Sequence, residues 1–440
     1  MKRMEEYYKM IRSEAAAAKR RQGRKNTRSG LLANAVFRKI YAAYAAAAIG
    51  DWFDMLAIQV LVGYRWQASP LMLSLIPVSL AVPGIVLGSL AGVAADRLER
   101  LKLMRLCDLL TAAITAALLF APGMLWLLPL LALRSAVSAL NVPAQQSLTR
   151  SIVREDQLLQ AASLNGLVTQ GSKIAGPLLG GAALAILSPA WCIGLNALLR
   201  LFSFGLLLTV RSRDAARSPE TVSESAAEES KPSFRMMWKE GWGLIWSSRM
   251  LRNTLLFGLL GALTIQMVDY QFTSLFRMLA PDRAYLLGWM VAAAGAGAVM
   301  IMLLLNRISG GRRYGLRLGG GYVLIGAAFG GLGLLQPEAG TLPVLLLGLM
   351  MGAGNGLFFV SFSYCLQKET PPSMTGRVFG IQSMMLSAVM VVAPLLGGVL
   401  VGIEGPRAVF AAFGLAIGLL GGAGMALGRR IWPEGEAEEI

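Results

Sequence analysis

Three aspartates and one arginine lie inside segments that are otherwise apolar, and these side chains can carry a proton. Asp51 and Asp54 are three residues apart, so a helix presents both on one face. Asp269 and Arg134 lie inside other apolar segments. A charge at the centre of a membrane helix costs about 2.5–3.5 kcal/mol on insertion scales, so such residues indicate function. The chain has no histidine, so any proton transfer must use carboxyl groups.

A buried carboxyl group can gain and lose a proton as its surroundings change. A low-dielectric site favours its neutral form, whereas a neighbouring arginine favours its charged form. We therefore expect Asp51 or Asp54 to carry the proton, with Arg134 as the competing partner and Asp269 as a further coupling residue. The alternative is a static buried ion pair between the two predicted helices that hold Asp54 and Arg134.

Other polar side chains within the predicted helices are candidates to line a substrate cavity. Lys173 and Arg200 can attract an anionic substrate, which a pump for cations alone does not need. Amide groups bind either a substrate or a neighbouring helix. Asp108, near the start of a predicted helix, is interpreted as interfacial. The predicted cavity residues are Lys173, Arg200, Asn141, Gln145, Asn165, Gln170, Gln266 and Asn355.

Several classes of site are excluded by the residues that the chain lacks. Without histidine there is no histidine-ligated metal site and no histidine-based catalytic triad. No GxxxxGK[ST] loop occurs, since the stretch 166–173 (GLVTQGSK) has the wrong order at its end. We therefore expect a protein that is not an enzyme, with no metal and no cofactor, driven by a proton gradient.

Apolar blocks of about 20 residues dominate this chain of 440 residues, which is 55% hydrophobic and 15% charged. Soluble domains average about 45–50% apolar and roughly 25% charged residues, and a helix needs about 20 apolar residues to cross a bilayer. The sequence therefore predicts an all-α integral membrane protein. The twelve predicted transmembrane helices are 41–64, 70–95, 102–121, 124–147, 158–186, 190–210, 253–277, 284–305, 315–335, 342–366, 374–402 and 406–428.

The net charge of +16 is explained better by membrane topology than by nucleic-acid binding. If the N-terminus is cytoplasmic, nearly all Lys and Arg residues fall in cytoplasmic segments, as the positive-inside rule requires. Both termini are then cytoplasmic, in the plasma membrane of a bacterium. The basic residues outside those segments are Arg65, Arg277, Arg283 and Arg407 in opposite turns and Arg134, Lys173 and Arg200 within helices.

Composition divides the chain into five regions. A basic cytoplasmic N-tail is followed by a six-helix bundle, a cytoplasmic linker rich in Ser and Glu, a second six-helix bundle and an acidic C-tail. Within the linker, residues 234–249 (FRMMWKEGWGLIWSSR) form a predicted amphipathic helix at the membrane surface. The regions in chain order are 1–40, 41–210, 211–252, 253–430 and 431–440.

A Gly-Pro motif recurs in the two predicted bundles. The string GPLLGG at Gly176–Gly181 returns as APLLGG at Ala393–Gly398, and the two strings are 217 residues apart. A second string after the second predicted helix recurs at nearly the same spacing, which indicates duplication of a six-helix unit. The prolines predict kinks and the glycines predict close helix packing at a gate. The motif residues are Gly176, Pro177, Gly180, Gly181, Pro394, Gly397 and Gly398.

With these motifs the chain resembles the major facilitator superfamily, and within it the drug:proton antiporter branch of macrolide-efflux and enterobactin-exporter type. The family motif after the second helix is matched by Gly92, Asp96, Arg97 and Lys102, with Glu99 in place of a glycine. The antiporter motif of the fifth helix is matched by Gly176, Pro177, Gly180 and Gly181, with Ser172 in place of a glycine. The fourth-helix motif keeps only Arg134.

The resemblance implies a conformational latch around the loop after the second helix. Small residues allow close helix approach, and Asp96 at a helix C-terminus needs a compensating positive charge. The alternative is a solvated loop charge. The predicted latch residues are Gly88, Gly92, Asp96, Arg97, Arg100 and Lys102.

The resemblance also implies a monomer of two pseudo-symmetric bundles that exports a small amphiphilic, drug-like molecule from the bilayer-embedded protein by alternating access. Its partners are then the substrate and the lipid bilayer, with no nucleic acid. Export of a siderophore or metallophore, uptake by the same fold, and a membrane sensor or lipid-handling protein without transport remain alternatives.

Overall fold

The computed structural model describes residues 31–154, 157–211, 234–307, 314–371 and 374–432, and within them every regular element is helical. A short 3₁₀ turn (Leu31–Ala33) precedes the first helix, and a π-helical turn (Leu61–Arg65) extends it. The helices are α1 (Ala35–Val60), α2 (Pro70–Arg97), α3 (Arg100–Leu118), α4 (Met124–Ile152), α5 (Leu158–Ile186), α6 (Pro189–Leu208), α7 (Phe234–Ser247), α8 (Arg249–Asp269), α9 (Phe272–Leu279), α10 (Tyr285–Arg307), α11 (Tyr314–Leu334), α12 (Thr341–Glu369), α13 (Thr375–Glu404), α14 (Pro406–Ala426) and α15 (Gly428–Ile431).

The first helix begins at Ala35, inside the region predicted as the basic cytoplasmic N-tail. The side chain of Asn34 accepts hydrogen bonds from the backbone N–H groups of Val36 (3.0 Å) and Phe37 (3.3 Å). An asparagine in this position satisfies donors that otherwise have no partner in the first turn. The N-cap, rather than the start of the apolar block at residue 41, therefore sets the beginning of α1.

The predicted helix 253–277 is two helices, α8 and α9, separated at Tyr270 and Gln271. Gln271 is fully buried, and its Nε2 donates to the carbonyl of Pro70 (2.9 Å) and the hydroxyl of Ser74 (3.1 Å). The apolar pattern continues across this position, so hydropathy alone does not reveal the break. The side-chain amide of Gln271 instead forms hydrogen bonds with α2.

Ten helices in the described part of the chain are long and apolar enough to cross a membrane. The predicted spans that correspond to α3 and α5 are not among them. Basic residues occupy the first turns of α3, and in α5 only Ala175–Ile186 is recognised as an apolar stretch. The prediction of an all-α membrane protein is confirmed at this level.

The N-terminal half (residues 31–211) and the C-terminal half (residues 234–432) are joined firmly at one end, which we call the closed end. There Arg277 donates from Nη1 to the carbonyls of Gly63 (3.0 Å) and Ala68 (3.1 Å). The hydroxyl of Tyr64 donates to the carbonyl of Ala280 (3.4 Å). The Gln271 contacts with α2 lie at the same end.

Near the opposite end, where α5 and α13 begin, several positions are free of contact; we call this the open end. A Cβ atom added to any of four glycines there would meet no other atom within 4 Å. These glycines are Gly166 and Gly171 on α5 and Gly376 and Gly380 on α13.

Helix α7 covers most of the predicted amphipathic helix and packs against the beginning of α13. Glu240 of α7 forms an ion pair with Arg377 of α13. The rings of Trp238 and Trp242 make an edge contact, with centroids 6.2 Å apart. Residues 1–30, 212–233 and 433–440 hold most of the predicted N-tail, linker and C-tail, and they lie outside the described residues.

Candidate functional site

Five charged side chains from four helices of the N-terminal half form two neighbouring ion-pair groups, the pair Asp54–Arg134 and the triad Asp51–Arg200–Asp108, which we together call the ion-pair network. Its members come from α1, α3, α4 and α6, so the network crosses the interior of that half. With all members ionised it contains three carboxylates and two guanidinium groups. One proton is therefore enough to balance its charge. The members are Asp51, Asp54, Asp108, Arg134 and Arg200.

Asp54 and Arg134 form the most deeply buried pair of the network. The guanidinium Nη1 of Arg134 contacts Oδ2 of Asp54, and Nη2 lies 3.4 Å from Oδ1. Their side chains are 0% and 9% exposed. The contact joins α1 to α4, as the sequence suggested for these two residues. A pair this far from water is costly to break, because the remaining partner keeps an uncompensated charge.

Arg200 connects the two other carboxylates. Its Nη2 lies 2.7 Å from both oxygens of Asp51, and its Nη1 lies 3.3 Å from Oδ1 of Asp108. The Asp51 side chain is 42% exposed, whereas that of Arg200 is 6% exposed. Asp51 is thus the carboxylate through which the network reaches water. Arg200, which was predicted as a cavity residue, forms ion pairs with both of these carboxylates.

Asp108 belongs to the network, so its interpretation as an interfacial residue is wrong. It is buried, and its carboxylate accepts hydrogen bonds from the hydroxyl of Ser203 (2.5 Å) and the amide of Asn141 (3.2 Å) as well as from Arg200. Asp108 was not predicted as a network member because it lies near the start of α3. The sequence does place two of its partners, Arg200 and Ser203, three residues apart on the same face of α6.

Two adjoining cavities of about 380 Å³ each open beside the network. The N-half cavity is lined by Asp51, Asp108 and Arg200, together with Asn141 and Gln145. The central cavity lies between the two halves and is lined mostly by apolar and aromatic side chains. Three residues line both cavities and so connect them: Trp52, Met55 and Lys173.

The predicted cavity residues divide among three cavities. Lys173 and Asn355 line the central cavity, as does Asp269. Gln266 lines a third cavity of about 280 Å³ in the C-terminal half, the C-half cavity, beside Tyr322 and Phe358. Asn165 lines none of these three cavities. The side chain of Gln170 lies outside the described part of the structure.

The glycines of the repeated motif allow backbones to touch. A Cβ on Gly180 would overlap the carbonyl of Trp52 on α1, and one on Gly181 would overlap the backbone of Gly288 and Ala292 on α10. A Cβ on Gly176 would overlap the ring of Trp52. The helix α5 is continuous through Pro177.

The copy of the motif on α13 makes the corresponding contacts. A Cβ on Gly397 would overlap the carbonyl of Met267 on α8, and one on Gly398 would overlap Ser74 and the carbonyl of Pro70 on α2. Helix α13 is likewise continuous through Pro394. In both motifs, therefore, the first glycine of the Gly-Gly pair packs against its own half and the second packs against the other half, as expected for a duplicated unit.

The predicted latch falls largely on side chains that the structure does not describe. Gly88, Gly92, Asp96 and Arg97 are in this group, although the backbone of α2 is described through Arg97. Lys102 pairs with Glu99 at 2.7 Å on the surface, where the lysine is 72% exposed. Arg100 begins α3. The latch stays a prediction.

A helical membrane fold, an interior cavity between two halves and buried charges beside it are features of a membrane transporter. The sequence matches the Major Facilitator Superfamily over residues 40–390 and 286–437. The chain belongs to this family of transporters, which is not an enzyme class, and the resemblance described above is confirmed.

Its relatives include exporters. The MFS-type transporter YfiS of Bacillus subtilis is 30% identical over 82% of this chain and 85% of its own length. Macrolide efflux protein A of Streptococcus pyogenes is 24% identical over 81% and 88%. The enterobactin exporter EntS of Citrobacter koseri is 27% identical over 78% of both chains.

Solved structures share the fold at low identity. The nucleoside transporter NupG aligns with a TM-score of 0.66 and 15% identity, covering 90% of this chain and 99% of that one. A bacterial homologue of the lysosomal transporter Spinster, in an inward-facing and unoccupied conformation, aligns with a TM-score of 0.65 and 13% identity, covering 90% and 98%.

Proposed function

We propose that this protein is a proton-coupled exporter of small amphiphilic compounds in a bacterial plasma membrane. The observation that carries the proposal is the ion-pair network, which has one carboxylate more than guanidinium groups and adjoins a cavity connected with the central one. The names of the macrolide and enterobactin relatives support export. Small-molecule substrate, monomeric state and the proton gradient as the sole energy source are parts of this proposal.

The network couples the proton to the substrate through Asp51 and Arg200. Asp51 is the member most exposed to the cavity, so it exchanges protons with the solvent that enters there. Protonation of Asp51 removes its charge and weakens its contact with Arg200, which then holds Asp108 alone. Helices α1, α3 and α6 can then shift relative to one another. Asp54 lies on the same face of α1 and is the second candidate to carry the proton, with Arg134 as the cation that competes with the proton for its carboxylate.

Twelve transmembrane helices in two six-helix bundles provide the alternating access, with α3 and α5 added to the ten apolar spans. If both termini are cytoplasmic, the open end at the start of α5 and α13 faces the cytoplasm. The structure then corresponds to the state in which an exporter takes up its substrate. Rocking about the central cavity would open the other end.

Export of a siderophore is the second candidate, favoured by the enterobactin exporter among the relatives. A siderophore that carries negative charge needs a cation in the cavity. Arg200 is engaged by two carboxylates, whereas Lys173 has no ion pair in the described part of the chain. Lys173 is therefore the residue on which this candidate depends. Uptake by the same fold is distinguished by the direction of flux.

The proposal is tested by the accumulation of erythromycin, enterobactin, Hoechst 33342 and ciprofloxacin in bacteria that lack their own pumps. We expect the wild-type chain to lower accumulation of at least one compound, a protonophore to restore it, and Asp51→Asn and Asp54→Asn to abolish export. The exposed carboxylate Asp282 provides the matched control, since Asp282→Asn should export normally. Raised accumulation would identify an importer, and export that resists the protonophore would contradict proton coupling.

A further inference from the structure

Two side chains of opposite charge line the central cavity and have no partner among the described residues. Lys173 reaches it from α5 of the N-terminal half and Asp269 from α8 of the C-terminal half. In the described part of the chain, neither side chain has an ion pair or a hydrogen bond. This separates them from the ion-pair network, in which every carboxylate has an arginine. Lys173 is exposed, whereas Asp269 is partly buried at the end of an apolar helix. An unpaired charge inside a membrane helix is costly, and such residues generally serve a function.

The internal repeat indicates that the fold does not require the charge of Lys173. Ala393 lies 217 residues after Gly176, and at the same spacing Lys173 corresponds to the uncharged Met390. For Asp269 the repeat gives a different result, because Gly180 contacts Trp52 and its counterpart Gly397 contacts Met267, so Asp269 corresponds to Asp54. Unlike Asp54, Asp269 has no arginine partner in the described part of the chain. Both charges are therefore explained better by what enters the cavity than by how the helices pack.

The remainder of the central cavity suits an apolar body. Its lining includes the aromatic rings of Phe272, Phe358 and Phe359 and the side chains of Leu287 and Met302. Its volume of about 380 Å³ falls within the range typical of small-molecule pockets. Phe358 also lines the apolar C-half cavity, so this side chain borders both cavities.

We propose that the central cavity selects zwitterionic amphiphiles, with the anionic group on Lys173, the cationic group on Asp269 and the apolar body along Phe358. This inference rests on the proposed function and names its substrate class. A ligand with only a positive charge leaves Lys173 unpaired and is repelled by it. A ligand with only a negative charge leaves Asp269 unpaired and is repelled by it. Such unpaired or like charges discriminate between ligands. A zwitterion satisfies both residues.

The test measures equilibrium binding to the purified protein in lipid nanodiscs, without a proton gradient. The probes share an octyl chain: N-octyl-N,N-dimethylglycine is zwitterionic, octyltrimethylammonium is cationic, octanoate is anionic and octanol is neutral. We expect the zwitterion to bind about tenfold more tightly than either singly charged compound, which is the effect of one additional ion pair of about 1.4 kcal/mol. Asp282→Asn is the control and should bind as wild type does.

The variants assign the two charges separately. Lys173→Met, which installs the residue of the repeat, should remove the preference over the cation, and Asp269→Asn should remove the preference over the anion. Exchange of the charges, Lys173→Asp with Asp269→Lys, should restore zwitterion binding. Equal binding of all four probes, binding of none, or an unchanged preference in the single variants would overturn the inference. Zwitterion preference without proton-driven transport would instead contradict only the proposed coupling.

Discussion

Replacing Arg134 with methionine should lower the free energy of unfolding by about 3–5 kcal/mol, the usual cost of removing one partner of a buried ion pair. The reason is Asp54, whose fully buried carboxyl group would have no guanidinium beside it and would have to stay charged without a partner or take up a proton. Thermal unfolding of the detergent-purified protein measures the effect. The matched control is Arg283→Met, at a half-buried position between α9 and α10, outside the network.

Removing both partners separates structure from coupling. In the double variant Asp54→Val with Arg134→Met neither charge of the pair is left to be buried without its partner, and apolar replacements of buried ion pairs are often neutral or stabilising. We expect stability near that of wild type but no proton-driven export. A double variant that still exports would make the pair a static structural contact, which is the alternative reading of the sequence. An Arg134→Met protein as stable as wild type would contradict the burial of Asp54.

Substitution of Gly181 by leucine should abolish most transport by forcing α5 away from α10. The Cβ would meet the backbone of Gly288 and Ala292, and a backbone cannot turn aside as a side chain can. Overpacking of this kind typically costs about 1–3 kcal/mol. This contact is present in the conformation whose open end is accessible. The substitution therefore destabilises that conformation relative to the one in which the other end is open. Gly194→Leu, whose Cβ meets nothing, is the matched control.

The expected change of state can be measured as a distance between spin labels. Leu167 on α5 and Met384 on α13 are exposed and lie on the two halves near the open end. We expect Gly181→Leu to shorten the distance between labels at these positions, because the halves rock about the central cavity. Unchanged distances together with normal transport would show that close approach at Gly181 is not needed for cycling.

The elements that sequence predicts well are those set by local chemistry. Apolar length fixes most helix ends to within a few residues, and Pro189 and Pro406 mark the starts of α6 and α14. The Asn34 cap and the break at Gln271 were missed, because one depends on a single side-chain hydrogen bond and the other on a contact with α2. Hydropathy reports neither.

The network was predicted only in part for a related reason. Spacing along one helix shows that Asp51 and Asp54 share a face, but it does not tell which arginine each one meets. That depends on the rotation of α4 and α6, which packing decides. Asp54 meets Arg134 and Asp51 meets Arg200. Asp108 was not recognised because its partners lie on α4 and α6, far away in the chain.

The most direct test of proton-coupled export is whether substrate movement consumes a proton gradient. Everted membrane vesicles are acidified inside by respiration, and a pH-sensitive dye such as acridine orange reports the gradient. Adding a compound from the accumulation panel that the protein exports should restore dye fluorescence in wild type and in Asp282→Asn, but not in Asp51→Asn or Asp54→Asn. Uptake of that compound into the vesicles with no change in fluorescence would contradict the account.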